Sequence, residues 1–121
     1  MTNPASYQSI YVRIVDDVAV ITFRGTNAMF EGEKAQVVSR ELFDLLESGA
    51  ARKFVLDLAN IYFMSSAMLA QLVRMQRRVQ EKRGRLRLCC LRPAIQDAFK
   101  ISRFDRYFEI FSDSTAALKK F

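Results

Sequence analysis

Apolar residues recur along this chain with two periods, two and about 3.6, and the changes between them outline its elements. Ile10, Val12 and Ile14 alternate with Tyr11, Arg13 and Val15, the pattern of a half-buried strand. Asp16 and Asp17 make a tight turn, and Val18 to Phe23 follows as a strand apolar on both faces, so the pair reads as a hairpin. Gly25 then opens an irregular loop, "RGTNAMFEG". From Glu33 to Ser48 the period becomes helical, with Ala35, Val38, Leu42, Leu45 and Leu46 on one stripe and Gly49 as its stop. Lys53 to Leu58 is a short continuous apolar run, which predicts a strand covered on both faces.

The second half repeats this logic. After Ser65 and Ser66 comes a helix that carries Leu69, Leu72, Val73, Met75 and Val79 inward and ends at Gly84. "RLRLCCL" is a strand with Leu86, Leu88 and Cys90 on one face. Pro93 suits the first position of a third helix that packs Ile95, Ala98 and Phe99. Tyr107 to Phe111 is a last strand, and Ser112 or Asp113 caps a terminal helix holding Leu118 and Phe121. Strands alternating with helices after an opening hairpin predict an α/β domain: a mainly parallel sheet of about four to five strands with helices packed against it. Residues 1–9 read as a polar tail and 10–121 as the domain.

Composition narrows the chemistry. Of 121 residues, 50% are hydrophobic and 26% charged, which is ordinary globular usage and argues against disorder. No apolar run reaches the ~20 residues that span a bilayer, and "MTNPASYQS" lacks a signal pattern, so a cytoplasmic protein without a membrane partner is expected. Cys89 and Cys90 are adjacent, and a bond between neighbours strains the backbone, so they read as reduced, packed thiols. The chain has no histidine, which removes Ser-His and Cys-His arrangements, and it has no spaced cysteine set, so neither a catalytic nor a metal site is expected. It carries no Gly-rich phosphate loop or dinucleotide fingerprint, and no cofactor is expected.

Net charge is +6, and Arg74, Arg77, Arg78, Lys82, Arg83, Arg85 and Arg87 crowd together. A basic patch can serve nucleic acid or an acidic protein. With no aromatic interleaved, the cluster reads instead as a solvated helix face running into a strand, and no nucleic-acid partner is expected.

The serine pair is the one stretch where chemistry and position coincide. In parallel sheets, functional groups gather beyond the carboxyl ends of strands, where loops meet helix N-termini. Ser65 stands where an N-cap belongs, its hydroxyl able to accept from a free amide of the first turn. Ser66 then falls in that turn. A phosphate there would face backbone amides and the positive end of the helix dipole, and would add charge and bulk to a neutral surface.

"VLDLANIYFMSSAMLAQLV" resembles the signature of STAS domains, the anti-sigma-factor-antagonist family, and the order of elements from the hairpin to the terminal helix resembles the family's along the chain. The resemblance implies that Ser66 is the phosphoacceptor, with Ser65 where the family often has an acidic residue, Ala67 where a second serine is common, and Met68 in place of a frequent glycine. Asn27 is the nearest match to an acidic residue that antagonists often carry in the loop after the second strand. The implied partner surface comprises Met64, Ser65, Ser66, Met68, Gln71 and Asn27. Methionines at helical spacing also suit a core, and Met68 could pack inward beside Leu69.

The function implied is partner switching in transcription regulation. The unphosphorylated antagonist binds a serine-kinase anti-sigma factor, the sigma factor goes free, phosphorylation ends the binding, and a phosphatase resets the switch. Such a protein is a phosphoprotein and a binding module, not an enzyme. The alternatives are a STAS interaction scaffold that is never phosphorylated and a small-ligand or nucleotide-binding STAS module.

Overall fold

The computed structural model describes residues 7–25 and 28–121. Its elements are β1 (Ile10–Val15), β2 (Val18–Phe23), β3 (Ala28–Phe30), α1 (Gly32–Glu47), β4 (Lys53–Asp57), β5 (Ile61–Met64), α2 (Ser66–Glu81), β6 (Arg85–Cys89), α3 (Pro93–Ile101), a 3-10 turn (Phe104–Tyr107), β7 (Glu109–Phe111) and α4 (Ser114–Leu118). Five strands form one sheet in the order β1-β2-β4-β6-β7. The β1–β2 hairpin is antiparallel and every other pairing in that sheet is parallel. The α/β fold with a mainly parallel sheet is the one the periodicity predicts.

Alternation along β4 sorts the core into two layers. Phe54 and Leu56 face the larger layer, built with Val38, Leu42 and Leu45 of α1, Leu72 and Met75 of α2, and Ile95 and Phe99 of α3. Val55 faces the smaller layer, where Val18, Val20, Cys89 and Ala117 of α4 meet. Each large apolar side chain removed from water contributes roughly 1.5–3 kcal/mol. The apolar stripes of α1 and α2 therefore decide on which side those helices pack. All five residues expected on the α1 stripe are buried.

Residues expected in the polar tail also join the structure. Tyr7 is buried and donates its hydroxyl to Asp44 Oδ2 at 2.8 Å, while the Gln8 and Ser9 amides each donate to Glu41 at 2.8 Å. Desolvation of Glu41 favours its neutral form, but the bonds from Ser9 and from the backbone amides outweigh it and hold the carboxyl below its ordinary range.

Several expectations need correcting. The sequence pattern gives no pairing between "AMF" and "IYFM", yet β3 and β5 form a separate two-stranded parallel sheet. Three residues are too few for alternation to register. Ile14 is 53% exposed, on β1 at the edge of the sheet, where only one side has a neighbouring strand. Tyr107 belongs to the 3-10 turn rather than to the last strand. Cys90 does not share a face with Leu86 and Leu88: β6 stops at Cys89, and Cys90, at φ +64°, borders the smaller core layer instead. Both thiols are free, and burial pushes that of Cys89 well above its ordinary pKa. Asp113, not Ser112, caps α4, accepting from the Ala116 amide at 2.8 Å.

Two glycines fulfil different needs. Gly49, at φ +78°, makes the left-handed turn out of α1. After α2 that turn is made by Arg83, at φ +61°. Gly84 is required for space, because a Cβ there would collide with the Arg52 carbonyl and crowd Val79. Gly84→Ala should therefore destabilise the protein by about 1–3 kcal/mol in urea denaturation, the usual range for forcing atoms into a packed site; a change within 0.5 kcal/mol, the ordinary scatter of surface substitutions, would show that the Arg52 segment yields freely.

Candidate functional site

β4 is central, so the chain leaving its carboxyl end emerges at the top of the sheet. The Asn60 side-chain amide donates to the Phe23 carbonyl at 3.0 Å, tying the β4–β5 turn to β2. Arg92 donates to the Ala59 carbonyl at 2.8 Å and lies over the Tyr62 ring, 3.7 Å from its centre. The Ser65 amide donates to the Phe30 carbonyl at 2.9 Å. With the backbone held from both sides, the direction of α2 at its start is fixed.

Ser65 is the helix cap. Its backbone is extended, and its Oγ accepts from the Met68 amide at 3.2 Å. Ser66 is the first residue inside α2 and is exposed. The two serines are thus not equivalent, since one hydroxyl has a structural partner and the other belongs to an exposed residue. No acidic residue lies in the first turn of α2, so no fixed negative charge of that turn opposes an anion there.

The methionines are core. Met68 is 1% exposed and Met64 5%, both within the larger layer, so neither presents a flexible side chain at the surface. This corrects the expectation that they contact a partner directly. Met64 is paired with buried Phe30, and Met68 continues the inward stripe beside Leu69. Gln71 is half-buried one turn beyond Ala67, bordering a groove of about 510 Å³ between α1 and α2 with Ala35, Ser39, Phe43 and Arg74. It accepts from Arg74 at 3.1 Å. On the helix Gln71 therefore shares Ala67's stripe, while Ser66 shares a stripe with exposed Ala70. Asn27 lies outside the described residues.

What the sequence did not reveal is an apolar surface beside the serines. Met29, Tyr62 and Phe63 are 44%, 41% and 41% exposed. A register shift between Ala28 and Met29 leaves Tyr62 as the extra residue of β5, so two consecutive aromatic residues are exposed between buried Ile61 and Met64. Met29 is the register partner of Phe63. The only sequence signal was the pair "YF" just before the cap, which reads equally well as strand interior.

This arrangement has counterparts among known proteins. Residues 9–117 match the sequence model of the STAS domain. The chain belongs to the STAS domain family. A Bordetella bronchiseptica protein named as an anti-sigma factor antagonist, BtrV, is 27% identical over 107 residues, covering 88% of this chain and 89% of its own. Among solved structures, a Thermotoga maritima protein designated an anti-sigma factor antagonist superposes with a TM-score of 0.80 at 21% identity, over 92% of each chain. The anti-sigma factor antagonist SpoIIAA, in its unphosphorylated form, gives a TM-score of 0.66 at 13% identity, over 90% of this chain and 93% of its own. At those identities the structural likeness establishes the fold. Among the described residues, no helix of this STAS domain is long and apolar enough to cross a membrane.

The basic cluster is divided by the fold. Arg78 donates to Glu47 of α1 at 2.6 Å and to Glu81 at 3.1 Å, and Lys82 reaches Glu47 at 3.3 Å. The bond from Arg78 is the main reason that the Glu47 carboxyl is held down to about 2; a smaller desolvation opposes it and Lys82 adds to it. Arg87, expected on the solvated face, is buried instead. It donates to Glu109 at 2.6 Å and to the Ala117 and Lys119 carbonyls at 2.9 and 2.8 Å, and its guanidinium stacks on Phe121 at 4.3 Å. Period two on β6 turns it inward beneath α4, which spacing in a run of arginines does not disclose.

Three substitutions separate cap, core and surface. Ser65→Ala should cost about 1 kcal/mol of stability in denaturant unfolding, and Ser66→Ala should stay within about 0.5 kcal/mol of the parent. Met68→Glu should give an unfolded or insoluble product, because an unpaired carboxylate would enter the core; a folded, soluble Met68→Glu protein by circular dichroism would place that side chain at the surface instead.

Proposed function

We propose that this STAS domain is a partner-switching antagonist whose unphosphorylated form binds a serine-kinase anti-sigma factor and whose phosphorylation at Ser66 ends that binding. The observation that carries the reading is the exposure of Ser66 at the first position of α2, while Ser65 already serves as the cap. The names of the relatives support it: BtrV and the Thermotoga maritima protein are called anti-sigma factor antagonists, and SpoIIAA has been solved in unphosphorylated and phosphorylated forms.

The energetics run in the required direction. In the free domain a phosphate on Ser66 would meet the positive end of α2, which favours an exposed negative charge by roughly 0.3–1 kcal/mol. Modification therefore leaves the fold intact. In a complex the same group would bring nearly two negative charges and three strong acceptors into contact with a surface that includes Met29, Tyr62 and Phe63. Burying such charge without partners costs several kcal/mol, far more than the dipole returns. Binding is lost while the domain stays folded.

In this reading the contact surface comprises Ser66, Ala67 and Gln71 with the exposed apolar residues of β3 and β5, and Met64 and Met68 support it from beneath. The domain contributes no catalysis. The kinase supplies ATP, the Ser66 hydroxyl oxygen attacks the γ-phosphorus, its proton passes to a base of the kinase, and ADP leaves. A phosphatase returns Ser66 by hydrolysis, and the sigma factor is released only indirectly. The process takes place in the cytoplasm and regulates transcription.

Incubation with the cognate kinase and ATP, followed by mass spectrometry of peptides, should find phosphate on Ser66; modification only at Ser65 or elsewhere would overturn the assignment. In a binding titration Ser66→Ala should keep its affinity in the presence of ATP. Ser66→Asp should bind at least about tenfold more weakly, roughly 1.4 kcal/mol, since one carboxylate imitates a phosphate only in part.

A further inference from the structure

The carboxyl ends of β4 and β6 bring together a second group of reactive side chains, on the face of the sheet covered by α4. Asp57 and Cys89 are register partners on adjacent parallel strands. Both therefore fall on the Val55 side, where Cys89 packs with Val18, Val20 and Ala117. Ordinary alternation would send the Cys90 side chain to the opposite face. Its left-handed backbone, φ +64°, prevents this, at an energetic cost that a residue other than glycine bears only where its surroundings impose it. As a result one ligand atom from each of Asp57, Cys89 and Cys90 lies within 4.8 Å of the other two. Asp57 accepts from the Ala59 amide through one oxygen, at 3.0 Å, and forms no ion pair among the described residues. A carboxylate thus stands beside two thiols, and among the described residues no ion pair balances it.

We propose that Asp57, Cys89 and Cys90 form a binding site for one thiophilic divalent cation of the zinc class. Two sulfurs and a carboxylate oxygen form a donor set that suits such ions, and a fourth position is left for water or an external ligand. With metal–sulfur bonds of ~2.3 Å and metal–oxygen bonds of ~2.0–2.2 Å, tetrahedral ligand atoms stand about 3.5–4 Å apart. The three atoms, within 4.8 Å of one another, stand near that spacing. Cys89 is fully buried, whereas Cys90 and Asp57 are half-buried, so the entry path lies on their side. On binding, each thiol gives its proton to the buffer, and two thiolates and one carboxylate surround a dication for a net charge of −1. No electron is transferred. The adjacent cysteines lack the spacing of zinc motifs, because the third ligand comes from another strand.

The test uses the whole chain, reduced with a phosphine that is not itself a thiol ligand, and titrated with cobalt(II) and with cadmium. The expected result is a saturable one-to-one sulfur-to-metal charge-transfer band, with the intense visible bands of tetrahedral cobalt. Cys90→Ala replaces a half-buried side chain and should fold; it should weaken binding at least tenfold and abolish the charge-transfer spectrum of the two-thiolate site. Asp57→Asn should keep a charge-transfer band but bind at least tenfold more weakly. Zinc should raise the melting temperature of the parent protein and not that of Cys90→Ala. Absence of a saturable band in the parent protein, or an unchanged titration in both variants, would overturn the proposal.

Discussion

The burial of β4 is the constraint on which the rest of the molecule depends. Its neighbours β2 and β6 satisfy its backbone on both sides, and helices cover it above and below. Unpaired backbone polar groups in such a place would be costly, so a run of apolar residues and two complete ladders must go together. Once β4 is fixed, its carboxyl end can lie only at the top of the sheet. The turn that leaves it is tied by Asn60 to β2 and by Arg92 to the segment after β6. The position of α2, and with it of Ser66, follows from those ties.

The two serines show how one residue type is given two roles by a single step along the chain. Ser65 is extended, so its hydroxyl can fold back onto the Met68 amide, whereas Ser66 is already helical and exposed. The cap contributes about 1 kcal/mol to α2, small beside the burial of Leu69, Leu72, Val73, Met75 and Val79. The cap therefore sets where the helix begins rather than whether it forms. The starting residue in turn decides which of the two serines is left exposed.

Charge follows a similar division. The +6 of the sequence suggests a basic surface, yet the structure uses part of it internally. Arg78 and Lys82 join α2 to α1 through Glu47, at exposed positions where such pairs contribute little. Arg87 is different in kind, because its guanidinium satisfies carbonyls of the last residues of α4 and beyond while stacking between Phe111 and Phe121. It holds the terminal segment over the smaller core layer, the same layer that shelters Cys89.

What the sequence by itself determined is everything that a period can carry. The stripes of α1 and α2, the continuous run of β4, Pro93 at the start of α3 and the place of the serine pair follow from residues close together in the chain. Burial on a helix face or in a central strand acts on every third or fourth residue, or on all of them, and leaves a readable pattern. Tertiary structure alone decided what depends on single residues or on distant partners. β3 and β5 are too short to show alternation, and the bulge that exposes both Tyr62 and Phe63 exists only because the two strands pair. Met68 fits a core or a surface equally well until the elements packed against α2 are known. Arg87 becomes a buried anchor only when α4 arrives, and Cys90 turns toward Asp57 only because its backbone leaves the strand. Local periodicity reports the burial of whole faces, but the fate of one side chain is set by the residue opposite it, which the chain brings there from far along the sequence.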